Sequence, residues 1–356
     1  MFGVYVHIPF CTRRCDYCAF ATWTDRFHLQ DAYVAACTTE AAGAGLPPAS
    51  SVFFGGGTPS LLSAEQLGRI LAAVPREPGA EVTLECNPES VDAARLADYR
   101  DAGVNRLSFG VQSLNPRILA ALGRDHEPAA ALAAVAAAAD AGFGDAYSVD
   151  LIYGAAGERL GDWEDTLAAV LSLDPAPGHV SAYALTVEPG TPLAGDATRH
   201  PDPDDQADKY LLADRMLASA GFAWYEVSNW AQPGRECRHN QLYWQQGDYR
   251  GLGCAAHSYT RRSSGGARRW WNVRTPERYL RLMGEGADPT AAEDVLDPAA
   301  SAREAAVLGL RTSAGIPSDV LPVDPVVEHL VVRAGGRVRL TLEGRLLADE
   351  ISRRLV

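Results

Sequence analysis

Three cysteines lie within eight residues near the start of the chain. Cys11, Cys15 and Cys18 form the spacing C-x3-C-x2-C directly after a short apolar run. Thiolates are soft ligands that hold iron–sulfur clusters, and three of them on one loop can bind three irons of a cubane. The fourth iron is then open to a small molecule, as in metal sites that keep one free position. The spacing predicts a [4Fe–4S] cluster. Zinc is the alternative, although a fourth ligand at zinc-finger spacing is missing.

Composition restricts the class of protein that holds these cysteines. The chain has 356 residues, seven cysteines and a net charge of −13. An odd number of cysteines, three of them crowded together, favours a metal site over a disulfide framework. The negative charge argues against nucleic acid as the main partner. No run of eighteen apolar residues occurs and the first residues do not resemble a secretory leader, so we expect a cytoplasmic protein.

The cysteine loop must be positioned by the strands and helices around it. Apolar or β-branched runs alternate with Ala- and Leu-rich helical stretches such as 64–73, 92–102 and 128–141. This alternation predicts parallel βα units. Six units favour an α/β fold with a partial (β/α)6 barrel, and an open Rossmann-like sheet is the alternative. The predicted strands are Val4–Ile8, Ser51–Phe54, Glu81–Glu85, Arg106–Val111, Ala146–Ile152 and Val180–Thr186.

Polar or glycine-rich loops follow the first four predicted strands. They read HIPFC, GGGTPS, ECNPES and GVQS in chain order. In βα barrels the chemistry takes place at the carboxyl ends of the strands. We therefore expect these loops to meet at one mouth.

The remainder of the chain suggests two further regions. The segment HPDPDDQADK reads as a linker, and residues 204–220 read as a helix. We predict a barrel over 1–200, an aromatic-rich region over 201–280 that packs on it, and a smaller α+β C-terminal domain over 281–356. In the tail, apolar alternation at Val338, Leu340 and Leu342 changes to a helical period at Leu346, Leu347 and Ile351, which is typical of a winged-helix-like unit.

These motifs together resemble a known family. The run YVHIPFCTRRCDYCAF resembles the radical S-adenosylmethionine superfamily and, within it, the oxygen-independent coproporphyrinogen III oxidase family. The resemblance covers most of residues 4–272, through FFGGGTPS, LECNPES, RLSFGVQS, SVDLIYG, YALTVEPGTPL, YEVSNWAQPGRECRHNQLYW and GDYRGLGCAAHSY. It implies a [4Fe–4S] cluster on the three cysteines with S-adenosylmethionine at the open iron.

The resemblance also implies which residues contact S-adenosylmethionine. Glycines let the backbone approach a ligand closely, carboxylates and amides suit its hydroxyls and ammonium, and arginine suits its carboxylate. Where the family reads DLIYGLPGQ this chain reads DLIYGAAGE, a change that should loosen the loop but retains Asp150. The positions that match the family are Tyr5, Tyr17, Gly56, Gly57, Thr58, Glu85, Gln112, Arg124, Asp150 and Ala184.

One position separates the oxidases of this family from their relatives. The oxidases carry a fourth cysteine two residues after the third, and here that position is Phe20, which has no thiol to ligate a metal. This reading resembles the heme chaperones of the family. It implies a protein that binds heme and delivers it to an acceptor, with no catalytic residue assigned. The alternative is an enzyme: a coproporphyrinogen oxidase or another radical reaction on a porphyrin.

Heme would need an iron ligand and groups for its edge. His239, in HNQLYW, is the candidate ligand by resemblance, and His257, in AHSY, is second. Arg261, Arg262, Arg268 and Arg269 beside Trp270 and Trp271 could meet propionates and the ring, although a solvated, flexible loop is the favoured interpretation. The implied partners are heme and a respiratory hemoprotein as acceptor, with membrane association only through that acceptor.

Overall fold

The structure is a computed structural model that describes residues 1–124 and 127–355. Its main sheet contains twelve strands, in the order β12-β11-β10-β9-β1-β2-β3-β4-β5-β6-β8-β7. Strands β1 to β6 are parallel to one another and are adjacent in the same order as in the sequence. They are β1 (Phe2–Ile8), β2 (Ala49–Gly56), β3 (Arg76–Cys86), β4 (Arg106–Gln112), β5 (Tyr147–Tyr153) and β6 (His179–Ala184). Sequential order is that of a βα barrel, whereas a doubly wound sheet reverses its strand order. The partial barrel is confirmed and the Rossmann-like alternative is wrong.

Helices cover one face of these strands. They are α1 (Gln30–Gly43), α2 (Ala64–Ala73), α3 (Ala93–Asp101), α4 (Pro116–Ala121), α5 (Pro128–Asp140) and α6 (Leu160–Leu171). Strand residues such as Val4, Val6 and Ile8 are fully buried in one apolar core with residues from these helices. Because side chains alternate across a strand, the residues between them point to the opposite face. That face, which we call the polar face, carries Tyr5 and His7 of β1.

The chain from Pro203 to Leu296, which includes the predicted aromatic-rich region, extends the sheet at both edges. It contains α7 (Pro203–Ser219), β7 (Ala223–Glu226), β8 (Asn229–Ala231), α8 (Arg238–Trp244), β9 (Asp248–Leu252), β10 (His257–Arg261), β11 (Ala267–Asn272), α9 (Pro276–Gly284) and β12 (Thr290–Leu296). Strand β9 pairs parallel with β1, a seventh parallel strand that the sequence did not reveal. The Pro- and Asp-rich linker supplies the N-cap of α7, since the carboxylate of Asp202 accepts from two backbone N–H groups.

The C-terminal region has its own small apolar core. A three-stranded antiparallel sheet, in the order β13-β15-β14, packs with three helices around Leu310, Val338 and Ile351. The elements are α10 (Pro298–Leu310), β13 (Ile316–Pro317), β14 (Val331–Ala334), β15 (Arg337–Leu340), α11 (Leu342–Leu346) and α12 (Ala348–Ser352). This helix-and-sheet arrangement agrees with the predicted winged-helix-like tail. Domain boundaries at 200 and 280 stay a prediction.

Two local predictions are wrong. Leu342 does not continue the strand: Thr341 accepts a hydrogen bond from the Gly344 N–H (3.0 Å) and caps α11, which begins at Leu342. The basic segment 261–271 is not one solvated loop. Only its middle is a turn, and residues from Ala267 onward form β11, which pairs with β10 and β12. None of the helices within the described ranges combines the length and apolar character that a bilayer crossing needs.

Candidate cofactor and cargo site

The cysteine loop leaves β1 and closes on itself. The N–H of Cys11 donates to the Trp23 carbonyl (3.1 Å), and the N–H of Trp23 donates to the Pro9 carbonyl (2.7 Å). All seven cysteines are free thiols. Cys11, Cys15 and Cys18 are partly exposed, whereas the other four are buried. The chain therefore presents these three thiols from one closed loop.

Glycine lets the loop after β2 lie directly against the cysteine loop. A Cβ on Gly57 would lie 2.6 Å from the Phe10 carbonyl oxygen and 3.0 Å from the Cys11 sulfur. Gly56 has φ of +110°, and a Cβ there would lie 2.4 Å from His7 Nδ1. Both positions need glycine for close approach, and the backbone N–H groups of Gly57 and Thr58 donate to the Ile8 and Phe10 carbonyls (2.7 Å each).

The thiols fit a cluster because cationic and hydroxyl donors reach them. Thr58 Oγ1 donates to the Cys11 sulfur (3.6 Å), and Arg124 Nη1 donates to the Cys15 sulfur (3.5 Å). Such donors favour sulfur as thiolate. Burial raises the pKa of Cys11 to about 11, so bound metal is what would keep this sulfur deprotonated at neutral pH.

Within residues 1–124 and 127–355, no three His, Cys, Asp or Glu side chains converge on a point that one ion could occupy. Three thiolates that bind three different irons of a cubane do not need to share one ion.

Arg124 is held by the ends of two strands. Its Nη2 donates to the Gly110 carbonyl (2.9 Å) and to Asn87 Oδ1 (3.1 Å), and Asn87 Nδ2 donates to Thr58 Oγ1 (3.2 Å). Asn87 thus joins the guanidinium to the glycine loop. The sequence reasoning missed Asn87, although it lies in the quoted motif ECNPES next to Glu85.

Glu85 and Asp150 are two half-buried carboxyl groups on the polar face, close enough for their charges to interact. Glu85 Oε2 accepts from the Gly56 N–H (3.1 Å). Burial, together with the negative charge of Asp150, raises the pKa of Glu85 to about 8. Burial also raises the pKa of Asp150, against the hydroxyl donors around it. Two carboxyl groups in one apolar-walled site suit a ligand that carries positive charge, as a sulfonium and an ammonium do.

Serines on three neighbouring strands surround Asp150. Ser108 donates to Oδ2 (2.6 Å), and Ser181 (2.7 Å) and Ser148 (3.0 Å) donate to Oδ1. The sequence reasoning named none of them. The signal was present, because Ser148 and Asp150 are two residues apart on one strand and must share a face.

The remaining predicted contacts lie at or near the same carboxyl edge. Gln112 ends β4 with φ of +66°, and Ala184 ends β6 with its side chain exposed. Tyr17, inside the cysteine loop, packs against a small apolar cluster that includes Leu185. Tyr5 lies on the same polar face as Glu85, its hydroxyl lies 3.2 Å from His7 Nδ1, and both rings line a cavity.

That cavity opens beside Phe20 of the cysteine loop. It has a volume of about 570 Å³, in the range of small-molecule sites. Phe20 is 66% exposed, unusual for phenylalanine. We call this space the aromatic cavity. It is lined by Tyr5, His7, Phe20, Tyr243, Gln246, Tyr249, His257, Tyr259, Arg269, Glu304 and Leu308, with Ala19, Ala21 and Ala255.

The aromatic cavity contains polar groups that a ligand could use. Tyr259 is only 5% exposed, and its hydroxyl has no hydrogen-bond partner among the residues that the structure describes. Arg269 Nη2 pairs with Glu304 Oε1 (2.9 Å), so α10 is tied to β11 across the cavity wall. His257 is exposed and stacks on Trp271 with ring centroids 5.4 Å apart.

His239, the first candidate heme ligand, lies outside this lining. It is 1% exposed, with Nδ1 2.9 Å from Ser51 Oγ and Nε2 2.8 Å from the Tyr243 hydroxyl. Both ring nitrogens are engaged, so iron could bind only after one hydrogen bond breaks. Arg261 and Arg268 are paired as well: Arg261 lies 3.6 Å from Asp248, and Arg268 binds Glu293 (2.6 Å) and lies over Trp270.

Comparison with known proteins agrees with this arrangement. A model of the radical SAM superfamily matches residues 5–170, which include the three cysteines and all predicted cofactor contacts except Ala184. The heme chaperone HemW of Mycobacterium tuberculosis H37Rv is 41% identical, over all of this chain and 95% of its own length. The chain belongs to the HemW family. The HemW of Synechocystis is 36% identical over 90% of this chain and 80% of its own.

The chain is also similar to an animal protein, and it shares its fold with an enzyme of known structure. The bovine mitochondrial radical S-adenosyl methionine domain-containing protein 1 is 38% identical over 88% of this chain and 74% of its own. The coproporphyrinogen III oxidase HemN of Escherichia coli superposes with a TM-score of 0.83 at 23% identity, over 99% of this chain and 89% of its own. That likeness shows a shared fold. Membership of the radical SAM superfamily implies a [4Fe–4S] cluster and S-adenosylmethionine.

Proposed function

We propose that this protein binds heme in the aromatic cavity and passes it to acceptor hemoproteins. The observation that carries the proposal is the cavity beside Phe20: an aromatic-walled space with an unpartnered buried hydroxyl and an arginine at its wall. Aromatic faces suit a flat macrocycle, and Arg269 suits a propionate. The names of the HemW relatives support the same function.

In this proposal the cofactor site is formed by other residues of the chain, with Tyr5 shared between the two sites. Cys11, Cys15 and Cys18 would hold the cluster. Gly56, Gly57, Thr58, Glu85, Gln112, Arg124 and Asp150 would bind S-adenosylmethionine, with Tyr17 and Ala184 at its edge and Tyr5 between this site and the aromatic cavity. Reductive cleavage of the sulfonium is the chemistry that this pair of cofactors supplies when bound. The residues of this chain bind, orient and shield the ligand.

His257 is the imidazole that the geometry favours for heme iron. It lines the aromatic cavity, and partial desolvation of the ring together with nearby Arg269 lowers its pKa, which favours the neutral form that binds metal. His239 lacks a free ring nitrogen. We therefore propose His257 ahead of His239, the reverse of the order that resemblance gave.

Titration with heme, followed by the Soret band, tests the proposal. We expect saturable binding at one site, and a loss of at least about tenfold in affinity for His257→Ala (~1.4 kcal/mol). His329→Ala is the matched control, because His329 is exposed in the C-terminal region and does not line the cavity. No saturable change for the wild type would overturn the function. Normal binding by His257→Ala with loss in His239→Ala would overturn the choice of ligand.

An enzyme on a porphyrin is the second candidate, favoured by the cofactor residues that match the family. Anaerobic incubation with coproporphyrinogen III, reductant and S-adenosylmethionine distinguishes the two. We expect no decarboxylated product from protein with full cluster content, because Phe20 stands where the oxidases carry cysteine. The acceptor, a membrane association through it and a cytoplasmic location stay predictions.

A further inference from the structure

A chain of buried hydrogen bonds runs from Asp150 to residues outside the cofactor site. Ser148 Oγ lies 3.0 Å from Asp150 Oδ1 and 2.9 Å from His179 Nδ1. His179 Nε2 lies 2.8 Å from the Tyr225 hydroxyl, and Asn240 Nδ2 donates to that hydroxyl (3.4 Å). Among the predicted cofactor contacts, Asp150 alone takes part in these hydrogen bonds.

Strand register explains how the chain forms. Ser148 of β5 is in register with His179 of β6, and Asp150 is in register with Ser181. All four are on the polar face, because the residues between them, such as Val149 and Val180, are fully buried in the apolar core. His179 and Ser148 therefore form a layer directly beneath the carboxylate.

Each hydrogen bond between Asn240 and Asp150 can be donated in only one direction. An ionised carboxylate only accepts, so Ser148 donates to Asp150 and its oxygen accepts from N–H of His179 Nδ1. In a neutral imidazole the other nitrogen, Nε2, then accepts from the Tyr225 hydroxyl. The oxygen of Tyr225 accepts in turn from the Asn240 amide.

The surroundings keep His179 neutral. It is 3% exposed, and burial together with the positive charge of Arg106 lowers its pKa well below the usual range. Arg106 is also buried and donates to the Arg235 carbonyl (2.9 Å). A neutral imidazole with one fixed tautomer is what the hydrogen-bond directions require.

We propose that His179 is a positioning residue for S-adenosylmethionine: held as the Nδ1–H tautomer by Tyr225, it orients Ser148 and thereby aims the Asp150 carboxylate at the mouth of the barrel. This inference rests on the proposed function, in which Asp150 contacts that ligand. A histidine that served packing alone would affect stability and leave ligand affinity unchanged.

The tautomer is tested without any added ligand. Selective ¹⁵N labelling of histidine in the full-length protein with its oxidised cluster gives side-chain nitrogen shifts, and His179→Asn identifies the His179 signals. We expect the Nδ1–H form throughout pH 6–8. The Nε2–H form, or a charged ring in that range, overturns the inference whatever the protein binds.

The effect on affinity is tested with matched tyrosines. Tyr225→Phe and Tyr147→Phe each remove one buried hydroxyl, but Tyr147 donates to the Pro175 carbonyl (2.6 Å) and is not linked to Asp150. By anaerobic calorimetry we expect S-adenosylmethionine to bind about five- to tenfold more weakly to Tyr225→Phe and unchanged to Tyr147→Phe. Equal affinities for the two variants overturn the inference.

A double-mutant cycle separates orientation from packing. His179→Asn and Ser148→Ala should each weaken binding about tenfold, and the double variant should be no weaker than either, since both break one chain. Additive losses contradict the inference. If the wild type with full cluster content does not bind S-adenosylmethionine, the proposed function fails instead, and the tautomer measurement still decides the role of His179.

Discussion

The cofactor site and the aromatic cavity differ in how completely their polar groups are paired. In the cofactor site, Asp150 accepts from three serines and Arg124 donates to three groups. In the aromatic cavity, the proposed cargo site, the Tyr259 hydroxyl has no partner among the described residues, and Phe20 is largely exposed. The paired site is built to hold one ligand in a fixed orientation, whereas the unpaired site gains its missing contacts only when a ligand arrives. That contrast suits a resident cofactor and a transferable cargo.

The largest effect is expected from removing a thiol. Cys15→Ala should abolish the cluster and change the free energy of unfolding by less than about 1 kcal/mol, because the loop lies outside the apolar core. Iron and sulfide analysis after anaerobic reconstitution, with thermal unfolding, measures both. Heme affinity should survive, since Cys15 does not line the aromatic cavity. Loss of heme binding together with the cluster would show that heme binding in the aromatic cavity depends on the cofactor site.

Cys37→Ala is the matched control for this change. Cys37 is fully buried in the apolar core, in contact with the Tyr279 hydroxyl (3.7 Å). Its removal should cost about 1–2 kcal/mol of stability and leave iron and sulfide unchanged. Tightly held zinc without sulfide in the wild type would contradict the cluster itself.

Gly57→Ala should give the next largest effect. Its Cβ would meet two carbonyl oxygens and the Cys11 sulfur within 3.0 Å, so the glycine loop or the cysteine loop must shift. We expect at least a tenfold loss of S-adenosylmethionine affinity by calorimetry, with heme affinity unchanged. Gly43→Ala, at the end of α1 with open space around it, should raise stability by up to ~1 kcal/mol and leave both affinities unchanged.

Affinity for S-adenosylmethionine should depend on pH through Glu85. The free protein holds Glu85 largely protonated at neutral pH, since burial and Asp150 raise its pKa to about 8. A cationic ligand favours the carboxylate, so binding releases a proton. Affinity should therefore rise with pH, by at most tenfold per unit below pH 8, and level off above it. Calorimetry from pH 6 to 9 in buffers of different ionisation enthalpy counts the proton.

Glu85→Gln is the control for this pH dependence. Asp150, whose pKa is also raised by burial, lies near Glu85, so any slope that remains in the variant belongs to Asp150 or to the ligand. We expect the slope to fall by about one proton. An unchanged slope would show that Glu85 is already ionised in the free protein.

Sequence patterns predicted the parts of the molecule that repeat or alternate. Six parallel strands were predicted from apolar or β-branched runs that alternate with Ala- and Leu-rich helical stretches, and Glu85 and Asp150 were expected at one mouth because strand ends share an edge. Short β9 could not be predicted, since its pairing with β1 depends on tertiary contact. The aromatic cavity could not be predicted either, because it joins Phe20 to residues as distant in the chain as Glu304.

Tyr259→Phe is expected to have the smallest effect and reports most directly on the aromatic cavity. In the free protein the buried hydroxyl lacks a partner, so its removal should raise the free energy of unfolding by about 1 kcal/mol. Heme should bind about three- to tenfold more weakly, because the bound ligand or its water supplies the missing partner.

Ser181→Ala is the matched change in the cofactor site: it removes a paired hydroxyl and should lower stability by about 1–2 kcal/mol with no effect on heme affinity. Chemical unfolding and Soret titration measure both. If Tyr259→Phe loses stability instead, the Tyr259 hydroxyl is already paired in the free protein, and the cofactor site and the aromatic cavity do not differ as proposed.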